Sequence, residues 1–148
     1  MTAAFALLPD RPIPLAEIPA DIRLQIIGAA GAGFPSPAQD WEETGINLVE
    51  LLRLDRAASF VFEVRGNSMI DAGIYDRDVV VVDRDKRPSN GKIVIAIVDG
   101  GFVVRQLCTR DGGAFLEARN SRMSYPETSA ENVEIWGVVR ASVRNLQA

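Results

Sequence analysis

The sequence predicts a mostly β fold: a compact antiparallel β-strand barrel or sandwich that follows an extended N-terminal arm. From residue 60 onward, short runs of β-branched and aromatic residues alternate with turn signals such as Asp99-Gly100-Gly101 and Asp111-Gly112-Gly113. By contrast, six of the eight prolines fall within the first 37 residues. Each proline fixes its own φ angle and lacks an amide donor, which opposes regular structure there.

These signals divide the chain into an arm at residues 1–40 and a strand domain at residues 41–148. Within the arm, residues 20–27 favour a short helix that would need packing against another element. Asn47 provides an N-cap with Glu50 three residues later, which predicts a helix over residues 47–54. The expected strands are residues 60–65, 79–82, 93–98, 102–107, 114–118 and 133–143, the last with a break at Gly137.

Composition excludes several classes of protein. No segment approaches the roughly 20 apolar residues of a membrane span, and the N-terminus does not resemble a secretory signal, so a cytoplasmic location is expected. The net charge is -4 and basic residues are scattered, which disfavours direct DNA binding. The chain has no histidine and one cysteine, Cys108, for which we expect a small buried apolar role. We therefore expect no metal or other cofactor, and any catalysis must work without imidazole.

The segment that offers chemistry is Gly66-Asn67-Ser68-Met69-Ile70-Asp71, which follows a predicted strand. It places Ser68 in a glycine-bearing bend, where a serine is usually only a turn residue. The pattern is neither the Gly-x-Ser-x-Gly elbow nor Ser-x-x-Lys. Taken by itself, the segment leaves a turn residue and a nucleophile as alternatives.

A resemblance changes that balance. The segments that carry it are residues 34–38, 66–71, 93–96, 98–102 and 137–139, together with Asp83. In combination they resemble the UmuD branch of the LexA-type self-cleaving serine peptidases, over most of the chain. In that family a serine attacks the chain's own N-terminal arm, and a neutral buried lysine on a neighbouring strand takes the hydroxyl proton.

The resemblance implies that Ser68 is the nucleophile, and we hypothesise that the backbone amides of Ser68 and Met69 stabilise the oxyanion. Arg105 stands where the family has its lysine. A guanidinium stays protonated and has no lone pair to accept a proton, so we expect self-cleavage to be very slow or absent. Arg105 is then an engineered replacement or a natural loss. The alternative is an arginine that merely reaches solvent from an edge strand.

The family cuts between a small residue and glycine, which here is the bond between Ala32 and Gly33. The surrounding segment, residues 28–33, is alternatively only a flexible linker. We expect the arm to dock as an added strand on a sheet edge, in its own subunit or a partner's.

By resemblance, the chain is an accessory subunit of an error-prone translesion DNA polymerase in the SOS response to DNA damage. The implied partners are a second copy in a homodimer, a RecA filament on single-stranded DNA and a UmuC-like Y-family DNA polymerase. Residues 135–139 form either the dimer surface or an ordinary core strand. Two alternatives remain: a catalytically dead interaction module, and a LexA-like repressor, which would need a helix-turn-helix that residues 1–40 do not resemble.

Overall fold

The computed structural model describes residues 45–147 and two short segments of the arm, residues 13–14 and 23–25. The elements of this part of the chain are β1 (Ile13–Pro14), β2 (Arg23–Gln25), β3 (Gly45–Asn47), α1 (Leu48–Leu51), β4 (Ser59–Glu63), a 3-10 helix (Ile70–Ala72), β5 (Val79–Asp83), β6 (Ile93–Val98), β7 (Gly101–Arg110), β8 (Gly113–Glu117), β9 (Thr128–Ser129) and β10 (Glu134–Val143). The prediction of a mostly β fold is confirmed. The predicted boundary between residues 40 and 41 lies outside the described residues.

Eight strands form one antiparallel sheet in the order β1-β4-β5-β10-β6-β7-β8-β9, while β2 and β3 pair separately. The predicted strands agree with the observed ones to within a few residues, and β6 matches at both ends. Hairpin turns join β6 to β7 and β7 to β8, at the two glycine-bearing turns that the sequence indicates. β1 extends the sheet beside β4, so this piece of the arm is an added edge strand of its own subunit.

The predicted helix is confirmed only over α1. The Oδ1 atom of Asn47 accepts hydrogen bonds from the amides of Val49 at 3.1 Å and Glu50 at 3.3 Å, as an N-cap does. The helix is shorter than expected because Arg53 adopts a left-handed φ of 57°. The helix expected at residues 20–27 is wrong, since β2 instead pairs with β3, and strand pairing supplies the hydrogen bonds that a short helix could not retain alone.

Two apolar clusters form the core, and the first lies directly beneath the candidate site. Its buried members are Phe62, Val64, Met69, Ile74, Val80, Val82, Ile95, Val104 and Trp136. The indole of Trp136 meets the rings of Phe60 and Phe62 edge-on, with centroids 5.2 and 5.3 Å apart. The second cluster contains Val94, Ala96, Leu107, Leu116 and Val138. The sheet thus buries apolar residues from both faces of its central strands.

β10 belongs to this core. It pairs with β5 on one side and β6 on the other, so both of its edges are occupied. Trp136 and Val138 are only 9% and 2% exposed. Of the two interpretations of residues 135–139, the structure therefore favours the ordinary core strand for these two side chains.

The register between β10 and β6 shifts between Ile135 and Gly137, and on its other side Gly137 lies close against β5. A Cβ atom built on Gly137 would lie 2.6 Å from Cγ1 of Val82 and 3.3 Å from the carbonyl oxygen of Asp83. Val82 is fully buried and cannot move aside without disturbing the core. The break that the sequence predicts at this residue thus has a steric cause.

We predict that Gly137→Ala lowers the free energy of unfolding by about 2 kcal/mol, because the added methyl group overpacks the core beside Val82. Urea denaturation of both proteins measures the change. Gly101→Ala is the matched control, since its new Cβ would meet nothing closer than the Val98 carbonyl oxygen at 3.8 Å. Equal destabilisation by the two substitutions would contradict the steric explanation.

A buried ion pair ties the end of β10 to the loop that precedes β5. The carboxylate of Asp78, which is 1% exposed, accepts hydrogen bonds from Nε of Arg144 at 2.7 Å and from Nη2 at 2.9 Å. It also accepts the amide of Tyr75 at 2.8 Å, and Arg144 donates to the carbonyl of Gly73 at 2.9 Å. The hydrogen bonds from Arg144 hold the pKa of Asp78 below its ordinary value although burial opposes them.

We predict that Asp78→Ala costs about 2 kcal/mol of unfolding free energy at neutral pH, less than for a fully buried pair because Arg144 is partly exposed. A carboxyl whose pKa is depressed by folding stabilises above its unfolded pKa, near 4, and loses that contribution as pH falls through the folded pKa. The difference between the two proteins should therefore shrink below about pH 4, as measured by urea denaturation across pH. The exposed Asp85→Ala is the control. A difference that is constant down to pH 2 would contradict a role for the ionised carboxylate.

Candidate functional site

Ser68 lies in a tight segment, residues 64–73, that follows β4 and includes the 3-10 helix; we call this segment the Ser68 loop. Gly66 and Gly73 lie at its turns and have φ angles of 88° and 81°, values that residues with a side chain rarely adopt. The amide of Gly66 donates to Oδ1 of Asp76 at 2.7 Å, which closes the loop at its base. The glycines that make the segment look like a simple turn are therefore what hold Ser68 at a fixed place.

A second loop, residues 118–122, clamps the Ser68 loop from the side. The amide of Arg119 donates to the carbonyl of Ser68 at 2.8 Å, and the amide of Asp71 donates to the carbonyl of Arg119 at 2.8 Å. The side-chain amide of Asn120 donates to the carbonyl of Asn67 at 2.8 Å. Arg119 and Asn120 were not predicted from the sequence, because their partners lie about 50 residues away along the chain and no local sequence pattern indicates such a contact.

The structure brings Ser68 and Arg105 together. Nη1 of Arg105 lies 2.9 Å from Oγ of Ser68 and donates a hydrogen bond to it, and it also donates to the carbonyl of Val104 at 2.7 Å. Arg105 lies on β7 opposite Val94 of β6, and the pairing of β7 with β8 begins at the next residue, Gln106. Because the guanidinium is half-buried and donates to Ser68, the interpretation of Arg105 as an arginine that merely reaches solvent is wrong.

Burial lowers the pKa of the Arg105 guanidinium from its ordinary value, and the interaction with Tyr125 opposes this effect. A lowered pKa would help a lysine at this position to serve as a base, because more of the amine would be neutral. A guanidinium starts from so high a pKa that it stays protonated, and its nitrogens are donors only. In this arrangement the hydroxyl of Ser68 faces a cation that donates to it and cannot take its proton.

A cleft of about 230 Å³ opens over the pair. It is lined by Phe62, Glu63, Val64, Arg65, Gly66, Asn67, Ser68, Ile95, Phe102, Val103, Val104, Arg105 and Tyr125. Lys86 and Lys92, the two lysines of the chain, are not among these residues. The cleft is therefore lined by no lysine.

Of the remaining predicted site residues, the structure describes Ser68 and Met69. Ser68 is 8% exposed and Met69 is 1% exposed. Neither amide donates a backbone hydrogen bond to residues 45–147 outside regular elements, which is compatible with the hypothesised oxyanion role. The bond between Ala32 and Gly33 lies outside the described residues.

Cys108 does not have the apolar surroundings expected of it. Its Sγ atom lies 3.0 Å from Oε2 of Glu117 and 3.6 Å from Nη2 of Arg119. Burial and the hydrogen bond to Glu117 raise the pKa of the thiol, so Cys108 stays protonated near neutral pH. The cysteine therefore belongs to a polar cluster between β7 and β8.

Among the described residues, no three side chains of the metal-binding types come together into a possible metal site. No helix in this part of the chain combines the length and the apolar character that a membrane span needs.

Comparison with known proteins places the chain in a family. Residues 25–140 match the family model described as Peptidase S24-like. MucA of Salmonella typhimurium is 40% identical over 113 residues, which are 76% of this chain and 77% of the relative. ImpA of the same organism is 41% identical over 111 residues, covering 73% and 74%. A LexA repressor from Syntrophobacter fumaroxidans is 32% identical over 124 residues, covering 84% of this chain and 59% of the repressor.

MucA and ImpA are UmuD-like proteins, and LexA is more distant. The predicted resemblance is therefore confirmed, both by the family model and by relatives that are aligned over most of their own length. The family contains self-cleaving serine peptidases. The chain belongs to the Peptidase S24-like family, in which its relatives include UmuD-like proteins.

Proposed function

We propose that this chain is a UmuD-like accessory subunit of an error-prone translesion DNA polymerase in the SOS response, and that Arg105 makes it deficient in self-cleavage. The observation that carries the proposal is the 2.9 Å hydrogen bond from Nη1 of Arg105 to Oγ of Ser68. It brings together a nucleophile and the side chain that occupies the base position. Membership of a family with self-cleaving peptidases supports the same interpretation.

In the proposed reaction, Oγ of Ser68 attacks the carbonyl carbon of Ala32 and loses its proton to a base. The amides of Ser68 and Met69 hold the negative charge on the carbonyl oxygen. The bond to Gly33 then breaks, the proton passes to the leaving amine, and water releases the arm from Ser68. Because the arm is part of the same chain or the same dimer, its effective concentration is high without tight binding.

Arg105 interrupts this sequence at the first step. Its guanidinium favours an oxygen anion electrostatically, but it cannot accept the proton whose removal creates that anion. A general base contributes typically 10²- to 10⁴-fold to such a step. With Arg105 in place, most of the uncut form should therefore persist.

The proposed partners follow from the family and not from the geometry. They are a second copy of the chain, a RecA filament on single-stranded DNA that stimulates cleavage, and a UmuC-like Y-family polymerase. Loss of residues 1–32 would expose surfaces that engage the polymerase. The second candidate is an interaction module that regulates the polymerase by binding alone, and the arginine at the base position favours it.

We predict that Arg105→Lys raises the rate of self-cleavage by about 100-fold or more, because a half-buried lysine can lose its proton and act as the general base. Incubation of the purified full chain with a RecA filament, followed by mass spectrometry, measures loss of the first 32 residues. The rate should rise with pH as the neutral amine becomes more populated, while the parent protein stays uncut across the same range.

The double variant Arg105→Lys with Ser68→Ala is the matched control, because it restores the base and removes the nucleophile. A fragment that begins at Gly33 in the single variant and not in the double variant would support the peptidase. An uncut but folded Arg105→Lys protein, at alkaline pH and with RecA, would contradict it and favour the interaction module.

A further inference from the structure

The guanidinium of Arg105 has N–H groups that donate no hydrogen bond to the described residues. Of its five N–H groups, the two on Nη1 are directed to Oγ of Ser68 and to the carbonyl of Val104. Nε and Nη2 donate to no acceptor in residues 45–147, and neither atom is completely buried. The Nε and Nη2 edge of the fork is therefore accessible.

Within residues 45–147, Arg105 also has no carboxylate partner. Among the twelve arginines in residues 45–147, nine form ion pairs: Arg53, Arg56, Arg65, Arg77, Arg84, Arg110, Arg119, Arg140 and Arg144. Arg87 and Arg122 have no such partner but are exposed to water. Arg105 is the half-buried member of this unpaired group. Burial of a cation without a nearby opposite charge costs desolvation free energy that no ion pair offsets. Such a cation therefore favours the binding of an anion.

The surroundings of Arg105 determine which anion fits. Two parallel N–H groups of one guanidinium edge match the two oxygens of a carboxylate. The walls of the cleft are mostly uncharged: they include Phe62, Val64 and Phe102, and the ring of Tyr125 lies 5.6 Å from the guanidinium carbon. The other arginine of the cleft, Arg65, is already paired with Glu63 at 2.6 Å. One available cation among apolar walls favours a singly charged carboxylate on a peptide over a multiply charged phosphate.

We propose that the cleft over Ser68 and Arg105 is a binding site for the C-terminal carboxylate of a peptide that ends in a small residue. The choice of peptide rests on the proposed function, because cleavage after Ala32 would leave the new carboxylate beside Oγ of Ser68. That oxygen lies 2.9 Å from Nη1 of Arg105, so the carboxylate would lie beside the guanidinium, whose Nε and Nη2 remain available as donors. No covalent step is involved.

This site would give the arginine a function of its own. A lysine that is neutral enough to act as a base offers no charge to hold the product, so the cut arm would be released. The permanently charged Arg105 would instead retain a carboxylate-terminated peptide. The Arg105 form is thereby a receptor for the cut end and not an enzyme that makes it.

The test uses the full chain and an N-acetylated hexapeptide of residues 27–32, Ile-Gly-Ala-Ala-Gly-Ala, with either a free carboxylate or a C-terminal carboxamide. Titration calorimetry should show binding of the acid and at least about tenfold weaker binding of the amide, because only the acid forms charge-assisted hydrogen bonds. The affinity for the acid should also fall as salt is added.

Arg105→Gln removes the charge and should weaken binding of the acid by about tenfold or more. Arg87→Gln is the matched control, since Arg87 is exposed and does not line the cleft, and its affinity should equal that of the parent protein. Circular dichroism verifies that both variants are folded.

Equal binding of acid and amide, no binding of either, or equal losses in the two variants would overturn the carboxylate site. The proposed peptidase function is judged separately by cleavage of Arg105→Lys. If that variant cleaves itself and the parent protein does not bind the peptide acid, only the carboxylate site is contradicted. If the parent binds the acid and the lysine variant stays uncut, the site stands and the peptidase function fails.

Discussion

The hydrogen bond from the guanidinium of Arg105 to Oγ of Ser68 is the contact on which the functional account depends. It joins two residues 37 positions apart, which belong to a loop and to an internal strand. In the proposed mechanism, the same contact brings Ser68 to the residue at the base position and denies it a base, because arginine is a donor at every accessible pH. In our proposals, the difference between lysine and arginine at position 105 thus separates a site for peptide cleavage from a site for binding a carboxylate.

The rest of the fold keeps that contact in place. β7 is paired with β6 along residues 101–106 and with β8 from Gln106 onward, so the backbone of Arg105 cannot shift without disturbing strand hydrogen bonds. The Ser68 loop is fixed by Arg119 and Asn120 from one side, and the ion pair of Asp78 and Arg144 secures the chain that follows it. The buried Met69 anchors the loop in the core. Pre-organisation of this kind is what a nucleophile requires, and it equally suits a rigid binding cleft.

Sequence reasoning predicted the parts of this arrangement that have local causes. Alternating apolar residues and glycine turns predicted the strands, and Asn47 predicted the helix start because a cap acts within three residues. The pairing of Ser68 with Arg105 was within reach only through the family resemblance, since neither residue carries a local signal of the other. Asp78 with Arg144, and Arg119 with the Ser68 loop, escaped prediction because tertiary packing alone creates them. The expected helix at residues 20–27 failed for the related reason that pairing with a distant strand overrides weak local propensity.

The reactivity of Ser68 itself tests the central claim most directly. A small serine-directed phosphonylating reagent, with labelling of Ser68 followed by mass spectrometry, reports whether a base activates the hydroxyl, independently of the arm and of every partner. The account predicts negligible labelling of the Arg105 protein at all pH values, and labelling that rises with pH once position 105 is lysine. Rapid labelling of Ser68 in the Arg105 protein near neutral pH would contradict it, because a base other than residue 105 would then have to be present.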